Sequence, residues 1–390
     1  MGRKLIEDLV VIYISNMLQN EKLHWQIETA KRLSKYTKVV HISSKDEPIK
    51  LKDIVWKGQI WRVAKTLISL KNNNFTSWVF FELIPLNRFR QIKLLNYKIN
   101  FLLLQLLLAK KIVVITSSSE NIVKRIINNL NPCLVIGESF DVFSLKGIRE
   151  MARISDCLIS SSPEVLRLQK KYFDCAFQLS TGYFSHKFIK ALSRKGYSRP
   201  LKKILCIATI TWRTNFDLLF HLAKKLKDSQ LIIIGPELFD FYVDQYWENQ
   251  NKKAKEKWLK LKKLKNVKHI SIVRQEDLLA IKEKFGVGII PYNTQYMFNR
   301  HCHPIKLYHY FAMGIPVVST KIKSILHYKS KYLLFAEKPQ AFTAAVKKLS
   351  SVKLSPRERS RFLAIAKEHT YENKAKELKN IIKKLDGKEV

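Results

Sequence analysis

Short apolar segments recur along the first half of the chain, with helical patterns between them. Six have the length of a β-strand: LVVIYIS (9–15), KVVHIS (38–43), WVFFELI (78–84), KIVVITSS (111–118), CLVIGES (133–139) and CLISSS (157–162). Apolar residues recur at helical spacing in HWQIETAKRLSKY (24–36) and ENIVKRIINNL (120–130). Strands that alternate with helices predict a parallel α/β sheet.

The alternation stops at residues 186–203 and then begins again. This segment is polar and basic and contains Gly196 and Pro200, so we interpret it as a linker between units 1–185 and 204–355. The second unit has its own strand-like segments: ILCIATI (204–210), LIIIGP (231–236), VKHISI (267–272), VGIIPYN (287–293), PVVST (316–320) and YLLFA (332–336). Its helical patterns are NFDLLFHLAKKL (215–226), residues 237–265 and QEDLLAIKEKF (275–285). Residues 356–390 are helical by periodicity with no strand after them, and we expect them to pack across the junction.

Length and charge agree with this division and limit the partners. A chain of 390 residues exceeds what one hydrophobic core usually serves. A net charge of +39 indicates nucleic acid, an anionic membrane face or phosphorylated substrates as partners. No zinc module or aromatic RNA platform of a known kind is visible, so we expect no specific nucleic acid.

Neither secretion nor a membrane span is predicted. The N-terminus has a short strand-like apolar run without a small-residue cleavage site, and INFLLLQLLLA (99–109) is shorter than the ~20 residues that cross a bilayer. A core helix is the preferred interpretation of that stretch, with a membrane-inserted hairpin as the alternative. The five cysteines are scattered, as expected for reduced thiols in a cytoplasmic protein.

The segment HPIKLYHYFAMGIPVVST (303–320) predicts a helix that starts near Pro304 and stops at Gly314. It follows a strand, so its N-terminus is expected at the carboxyl edge of a parallel sheet, where open α/β folds bind ligands. Helical spacing puts Lys306, His309, Tyr310 and Met313 on one face. A lysine in the first turn opposes the local helix dipole, which favours a bound phosphate; an ordinary surface helix is the alternative.

This segment resembles the nucleotide-sugar stretch of GT-B glycosyltransferases of the family-4 type, which build capsular, teichuronic-acid or lipopolysaccharide chains. In that family a Pro-x-Lys precedes a helix reading Leu-Tyr-Glu-Tyr-x-Ala-x-Gly-x-Pro-Val-Val, and Lys306, Gly314 and Pro316 match it. Weaker similarities follow in family order at WQIETAKRLSKYTKVVHIS, REMARISDCLISSSPEVLRL, LSTGYFSHKF, ATITWRTNFDLLFHLAKKLKDSQLIIIGP and HTYENKAKELKNII.

The resemblance implies two Rossmann-like parallel-sheet domains facing a cleft, with a C-terminal helix crossing back. The first domain would bind the acceptor and the second the nucleotide sugar, which is a co-substrate, with no cofactor and no metal. The implied activity is hexosyl transfer to a growing glycan or lipid-linked acceptor by a cytoplasmic protein, peripheral on the plasma membrane.

One position departs from the family. His309 stands where relatives have a glutamate that accepts hydrogen bonds from the ribose hydroxyls, and neutral histidine accepts one such bond. The donor is then held differently, the activity is reduced, or the chain is a non-catalytic GT-B binding protein.

The resemblance also implies site residues. Lys306 and Arg213 would neutralise the donor diphosphate, with His309, Tyr310, His303 and Pro304 as further donor contacts. A catalytic base would come from the first domain, where Glu138 or Asp141 follows a strand. Both acids could instead cap a helix, and Arg213 could be a surface residue. His24 and Trp25 are expected on the acceptor side.

Two further motifs have competing interpretations. His301, Cys302 and His303 are adjacent and cannot all turn toward one ion, so we expect no metal site. The lysine-rich stretch 252–265 carries Ala254, Trp258, Leu261 and Leu264 on one stripe, which is typical of a helix lying on an anionic membrane. A solvated outer face is the alternative.

Overall fold

A computed structural model describes residues 8–15, 25–43, 49–50, 54, 60–82, 84, 90–108, 110–118, 121–139, 145–194, 202–239, 245–271, 275–281 and 284–387. The chain forms two compact units. One extends to Gly182 and also contains the chain from Tyr371 onward, and the other contains Tyr183–Thr370. The domain limits given above stay predictions. Within the segment interpreted as a linker, His186–Arg194 is a helix that buries Phe188, Ile189 and Leu192 in the second unit.

The first unit is built on a seven-stranded parallel sheet in the order β3-β2-β1-β4-β5-β6-β7. Its strands are β1 (Leu9–Ser15), β2 (Lys38–Ser43), β3 (Phe75–Trp78), β4 (Lys111–Thr116), β5 (Leu134–Glu138), β6 (Cys157–Ser160) and β7 (Ala176–Gln178). Its helices are Trp25–Leu33, Ile60–Asn72, Arg90–Leu108, Asn121–Leu130, Leu145–Ala152, Pro163–Gln169 and Tyr371–Leu385.

Successive residues of β1 pack into different layers, because side chains alternate across a strand. Val10, Ile12 and Ile14 share a core with the helices Ile60–Asn72 and Arg90–Leu108. Leu9, Val11 and Tyr13, which point to the other face of the sheet, pack with the helices Trp25–Leu33 and Tyr371–Leu385. Both faces of the strand are therefore covered, which explains why it has an unbroken apolar sequence.

The second unit contains a six-stranded parallel sheet in the order β10-β9-β8-β11-β12-β13. Its strands are β8 (Lys203–Ile207), β9 (Gln230–Ile234), β10 (Val267–Ile270), β11 (Val287–Ile290), β12 (Val317–Ser319) and β13 (Leu333–Phe335). Its α-helices are His186–Arg194, Phe216–Lys225, Gln245–Lys262, Met297–His301, Lys306–Met313, Pro339–Ser350 and Pro356–Glu368, and Gln275–Ala280 and Lys323–Ile325 are 3₁₀ turns.

Both sheets have the strand order of Rossmann folds, which reverses direction between β1 and β4 in one sheet and between β8 and β11 in the other. The prediction of two Rossmann-like parallel-sheet units is confirmed. In folds of this type ligands bind beyond the carboxyl ends of the strands at the reversal point. For the second unit that point lies at the ends of β8 and β11.

Several predicted elements need correction. The third strand is Phe75–Trp78 and ends where the predicted strand 78–84 began, and β7 was not predicted. The predicted helix over 275–285 is described only as a short 3₁₀ turn, Gln275–Ala280. Very short strands and turns carry too little periodicity to be placed from sequence.

The long apolar stretch of the first unit is a core helix, as preferred above, since Phe101, Leu104 and Leu108 pack in the same buried cluster as β1. Within the part of the chain that the structure describes, no helix is long and apolar enough to cross a membrane. The cysteines are all free.

Candidate active site

The helix Lys306–Met313 is the central element of the candidate site. It connects β11 to β12 and ends at Gly314, whose φ of 68° is a left-handed conformation that glycine adopts without strain. Leu307–Met313 are all buried, and only the first residue of the helix is partly exposed. The alternative of an ordinary surface helix is therefore wrong: the helix is buried on every side, and only its first residue, Lys306, is partly exposed.

Lys306 lies against Tyr292, two residues beyond β11. Its Nζ donates a hydrogen bond of 2.5 Å to Tyr292 Oη and lies 5.0 Å from the centre of the ring. Among the described residues, no carboxylate forms an ion pair with this lysine. The ammonium group is thus held by a neutral partner, the hydroxyl and ring of Tyr292.

Arg213 approaches the same tyrosine from the loop after β8. Its guanidinium carbon lies 4.9 Å from the centre of the Tyr292 ring and 4.2 Å from that of Phe298, at distances typical of cation–π contacts. The backbones of the two loops are joined, because Asn293 N donates to Arg213 O at 2.9 Å. The fold therefore brings two cations to one ring at the reversal point of the sheet.

Asn299 fixes the position of this arginine. Its side chain is fully buried, accepts a hydrogen bond from Arg213 Nε at 3.0 Å and donates to the carbonyls of Arg213 and Asn293. Sequence reasoning missed both Asn299 and Tyr292. The sequence signals were weak: a tyrosine just after a strand and an asparagine inside a loop that was examined for metal binding.

His309 is 4 % exposed and packs edge-on against Phe184, with ring centres 4.7 Å apart, and against Phe188. Among the described residues, neither ring nitrogen has a partner at hydrogen-bonding geometry. Burial, followed by the charge of Lys306, lowers the pKa of His309 to about 3, with the Ile305 carbonyl acting in the opposite direction. The imidazole is therefore neutral at physiological pH.

Tyr310 holds the sheet together instead of facing a ligand. Its hydroxyl accepts from Ile207 N at 2.8 Å and donates to the carbonyl of Ile289 at 2.9 Å, so it bridges β8 and β11. Gly288 makes room for the ring, because a Cβ there would lie 2.7 Å from it. The expected donor contact through Tyr310 is corrected: its side chain is fully buried and its hydroxyl is occupied within the sheet.

The comparisons with known proteins agree with this geometry. Residues 201–351, which contain β8–β13 and both cations, match the family model of "Glycosyl transferases group 1". The second unit is a group 1 glycosyltransferase domain. No curated protein matches the sequence.

Solved structures of GT-B glycosyltransferases share the fold across nearly the whole chain. Sucrose-phosphate synthase from Thermosynechococcus elongatus superposes with a TM-score of 0.64 at 11 % identity, covering 98 % of this chain and 100 % of that one. HepE from Anabaena, solved with UDP and glucose, gives 0.60 at 10 % identity, covering 96 % and 99 %. A glycosyltransferase from Rickettsia africae gives 0.62 at 11 % identity, covering 98 % and 99 %. The GT-B assignment is confirmed at the level of fold, and the glycosyltransferase assignment by the domain match.

In the glycosyltransferase domain, the loop before the helix is tied into an aromatic cluster. His303 Nε2 shares a short hydrogen bond with Tyr308 Oη, and Tyr308 stacks on His369 at 3.8 Å between ring centres. Burial, with a smaller effect of His327, lowers the pKa of His303 to about 3. A donor contact through His303 Nε2 would require this bond to break, and Pro304 is buried beside it.

Glu138, the candidate base of the first unit, is sealed in an ion pair. It is 1 % exposed; one oxygen accepts from Tyr13 Oη at 2.5 Å and the other lies 2.7 Å from Lys374 Nζ. Burial lowers the pKa of Lys374, and Glu138 acts in the opposite direction. Glu138 is therefore a buried ion-pair partner in this structure and not an accessible base, which corrects that assignment.

Three other predicted residues cannot be placed. Asp141 and His24 lie outside the described residues, and of Trp25 only the backbone is described, as the first residue of the helix Trp25–Leu33. Within the described ranges, no group of three or more His, Cys, Asp or Glu residues could hold a metal ion.

The apolar stripe of the lysine-rich helix does not face outward, as a helix lying on a membrane would require. In Gln245–Lys262 the residues Ala254, Trp258 and Leu261 are buried in the core of the glycosyltransferase domain. Because the apolar stripe packs inward, the lysines form a solvated outer face, which was the alternative interpretation. The stripe predicted to meet the membrane is therefore unavailable to it.

Proposed function

We propose that the chain transfers a sugar from a nucleotide-sugar donor to a growing glycan or lipid-linked acceptor at the cytoplasmic face of a membrane, without a metal ion. One observation carries the donor half of this proposal. Lys306, at a helix N-terminus, and Arg213, from the neighbouring loop, converge on Tyr292 at the reversal point of a group 1 glycosyltransferase domain.

The chemistry fits a diphosphate leaving group. When the sugar departs, negative charge grows on the diphosphate, and preorganised cations and helix N–H groups stabilise it without a metal. Lys306 has no competing carboxylate among the described residues, so its charge remains for a ligand. The binding of UDP and glucose by the Anabaena HepE structure supports a uridine nucleotide as the first donor to test.

A donor screen tests the proposal directly. Purified protein is melted with a panel of UDP-, GDP- and CMP-sugars, and a bound donor raises the melting temperature because it binds the folded state only. We expect at least one nucleotide sugar to do so, and its product with candidate acceptors to be found by mass spectrometry. If none stabilises the protein and none is hydrolysed, the proposed activity is wrong.

Matched variants connect the effect to the site. Lys306→Ala and Arg213→Ala should strongly reduce the thermal shift at the same donor concentration, whereas Lys225→Ala, at an exposed position on the helix Phe216–Lys225, should retain it. Equal thermal shifts in all three variants would show that donor binding does not depend on Lys306 or Arg213.

A specific observation favours a second candidate, a GT-B binding protein without turnover. His309 supplies no carboxylate, and its ring is neutral and enclosed by Phe184 and Phe188. A ribose would lack the acidic partner that the family resemblance implies. Such a protein would bind a donor by the same two cations and transfer nothing.

His309→Glu distinguishes the two candidates. If the wild type turns over, the binding-only candidate is excluded. If both the wild type and His309→Glu bind a donor but show no turnover, the binding-protein candidate is supported. A gain of turnover in the variant would show that this position alone was missing. His309→Gln, neutral and similar in length to the glutamate, is the matched control.

A further inference from the structure

Two helices of the first unit expose large apolar side chains to solvent. In Ile60–Asn72, Ile60, Trp61 and Ile68 are 65 %, 59 % and 61 % exposed. In Arg90–Leu108, Leu102 and Leu106 are 55 % and 68 % exposed. Single exposed apolar residues are normal on a soluble protein, but a group of them marks an interaction surface.

These side chains form stripes on one side of the unit. Trp61 and Ile68 are seven residues apart, and Leu95, Leu102 and Leu106 follow at i, i+7 and i+11, so each set occupies one helix face. Both helices cover the same face of the first sheet, because the opposite sides of both pack into one core. The two stripes are therefore presented from the same layer.

The same faces are basic. Lys65 lies between Trp61 and Ile68, Lys98 lies between Leu95 and Leu102, and both lysines are exposed. Neither helix contains an aspartate or a glutamate. We call these side chains the apolar-basic face: Ile60, Trp61, Lys65, Ile68, Leu95, Lys98, Leu102 and Leu106.

We propose that the apolar-basic face docks the first unit on an anionic lipid bilayer. Apolar side chains on a helix enter the region between headgroups and acyl chains, and neighbouring lysines pair with anionic headgroups. A second copy of the chain fits less well, since a two-fold interface places the same patch on both subunits and would bring its lysines together. A lipid surface supplies the opposite charge.

This surface differs from the one indicated by the sequence. The helix Gln245–Lys262 is richer in lysine, but its apolar stripe is buried, so it offers only long-range attraction that salt screens. The helices Ile60–Asn72 and Arg90–Leu108 offer charge together with accessible apolar area. The inference rests on the proposed function for its meaning, because a lipid-linked acceptor requires the enzyme at the bilayer.

Vesicle sedimentation tests the assignment without any donor. The full chain is mixed with vesicles of phosphatidylglycerol and phosphatidylcholine, or of phosphatidylcholine alone. We expect binding to the anionic vesicles only. The double variant Leu102→Ser/Leu106→Ser should weaken that binding about tenfold or more, because it removes the inserted apolar area. Trp61→Ser/Ile68→Ser should act in the same direction.

Matched controls use the other basic helix. Leu259→Ser replaces a 47 % exposed leucine of Gln245–Lys262 and should leave vesicle binding unchanged. Lys65→Gln/Lys98→Gln should weaken binding at low salt more than Lys252→Gln/Lys253→Gln, although both pairs remove the same charge. All positions are exposed, so each variant should melt within a few degrees of wild type.

Three results would overturn the inference. These are equal binding to neutral vesicles, unchanged binding in both serine double variants, or a dimer that these variants dissociate without a change in vesicle binding, which would make a second copy the occupant. Donor-induced thermal shifts of the same variants separate this outcome from the proposed function. If vesicle binding is lost but the donor-induced shift is intact, the proposed donor site is unaffected. If no donor raises the melting temperature but the serine variants still weaken vesicle binding, the membrane surface is supported without the proposed activity.

Discussion

The carboxyl edges of the two sheets carry charged side chains in different arrangements: a neutralised ion pair in the first unit and two neighbouring cations in the second. In the first unit, Glu138 at the end of β5 is closed by Tyr13 and Lys374. In the second, Lys306 and Arg213 share one tyrosine ring and no carboxylate pairs with Lys306 in the described chain. Equivalent edges of similar sheets therefore carry a neutralised pair in one case and accumulated positive charge in the other.

The difference indicates what each site is for. The two charges of a buried pair neutralise each other, so removing one partner costs stability, and the intact pair has no net charge to attract a ligand. Two neighbouring cations repel each other, and a bound anion removes that repulsion. We therefore expect substitutions in the first site to change folding and substitutions in the second to change binding.

The largest expected effect is on the closed site. Lys374→Met leaves Glu138 buried without its cation, and the free energy of unfolding should fall by about 3–5 kcal/mol in denaturant titrations. Lys376→Met, on the exposed side of the same helix, is the control and should change it by less than about 0.5 kcal/mol.

A second change sharpens the interpretation of that loss. Adding Glu138→Leu to Lys374→Met removes the stranded charge and should recover part of the lost stability. An unfolding free energy for Lys374→Met equal to that of wild type would mean that the pair is not enclosed as described.

The open site should respond in binding. Lys306→Ala removes a charge-assisted contact worth about 1.5–3 kcal/mol, which corresponds to donor binding that is weaker by roughly 10- to 150-fold in calorimetry. Its unfolding free energy should change much less than that of Lys374→Met. If Lys306→Ala instead unfolds the protein while donor affinity stays intact, the contrast between the sites is wrong.

The sheet beneath the open site should depend on Tyr310. Tyr310→Phe leaves Ile207 N without its partner between β8 and β11, and should cost about 1–2 kcal/mol of unfolding free energy. Donor affinity should stay near wild type, since the hydroxyl contacts only backbone. Tyr332→Phe, which removes a single hydroxyl contact at the backbone of Ser355, provides a comparison.

The smallest effect is the pH response of His309. Its pKa is lowered to about 3 in the folded chain and is near 6.5 when unfolded, so the unfolded state binds more protons between these values. Its contribution to stability is complete above pH 6.5 and declines as the pH falls toward 3. Between pH 6.5 and 5.5 the loss should be about 1 kcal/mol.

Comparing pH series isolates this residue from the other buried histidines. His309→Phe should show a shallower decline than wild type in denaturant titrations, and His186→Gln, at an exposed position, should follow wild type. Parallel curves for all three proteins would mean that His309 is not the group that titrates.

The sequence predicted the regular elements well where apolar runs are long. The strands β1, β2, β4 and β5 fall within a residue or two of their predicted places. The helix at Lys306 was found because proline and glycine mark its ends. The three-residue β7 and the displaced β3 were missed, since short strands at the edge of a sheet have little pattern of their own.

The sequence identified the two cations of the site but not the contacts that its other side chains make. Lys306 and Arg213 were identified from a motif and a loop, and the structure brings both to Tyr292. The donor role given to Tyr310 and the base role given to Glu138 were corrected, because local sequence does not reveal that a hydroxyl bridges two strands or that a lysine 236 positions further along the chain closes on a carboxylate.

The sequence by itself determined the parallel α/β architecture, the helix that carries Lys306 and the excess of positive charge, because periodicity, helix signals and composition are local properties. Tertiary structure decided which charges are neutralised, which apolar stripes are buried and which are exposed. The stripe of Gln245–Lys262 turns into a core, while those at Trp61 and Leu102 remain in solvent. Whether a stripe is buried depends on which sheet face its helix covers, and the residues that form that face are distant in the chain.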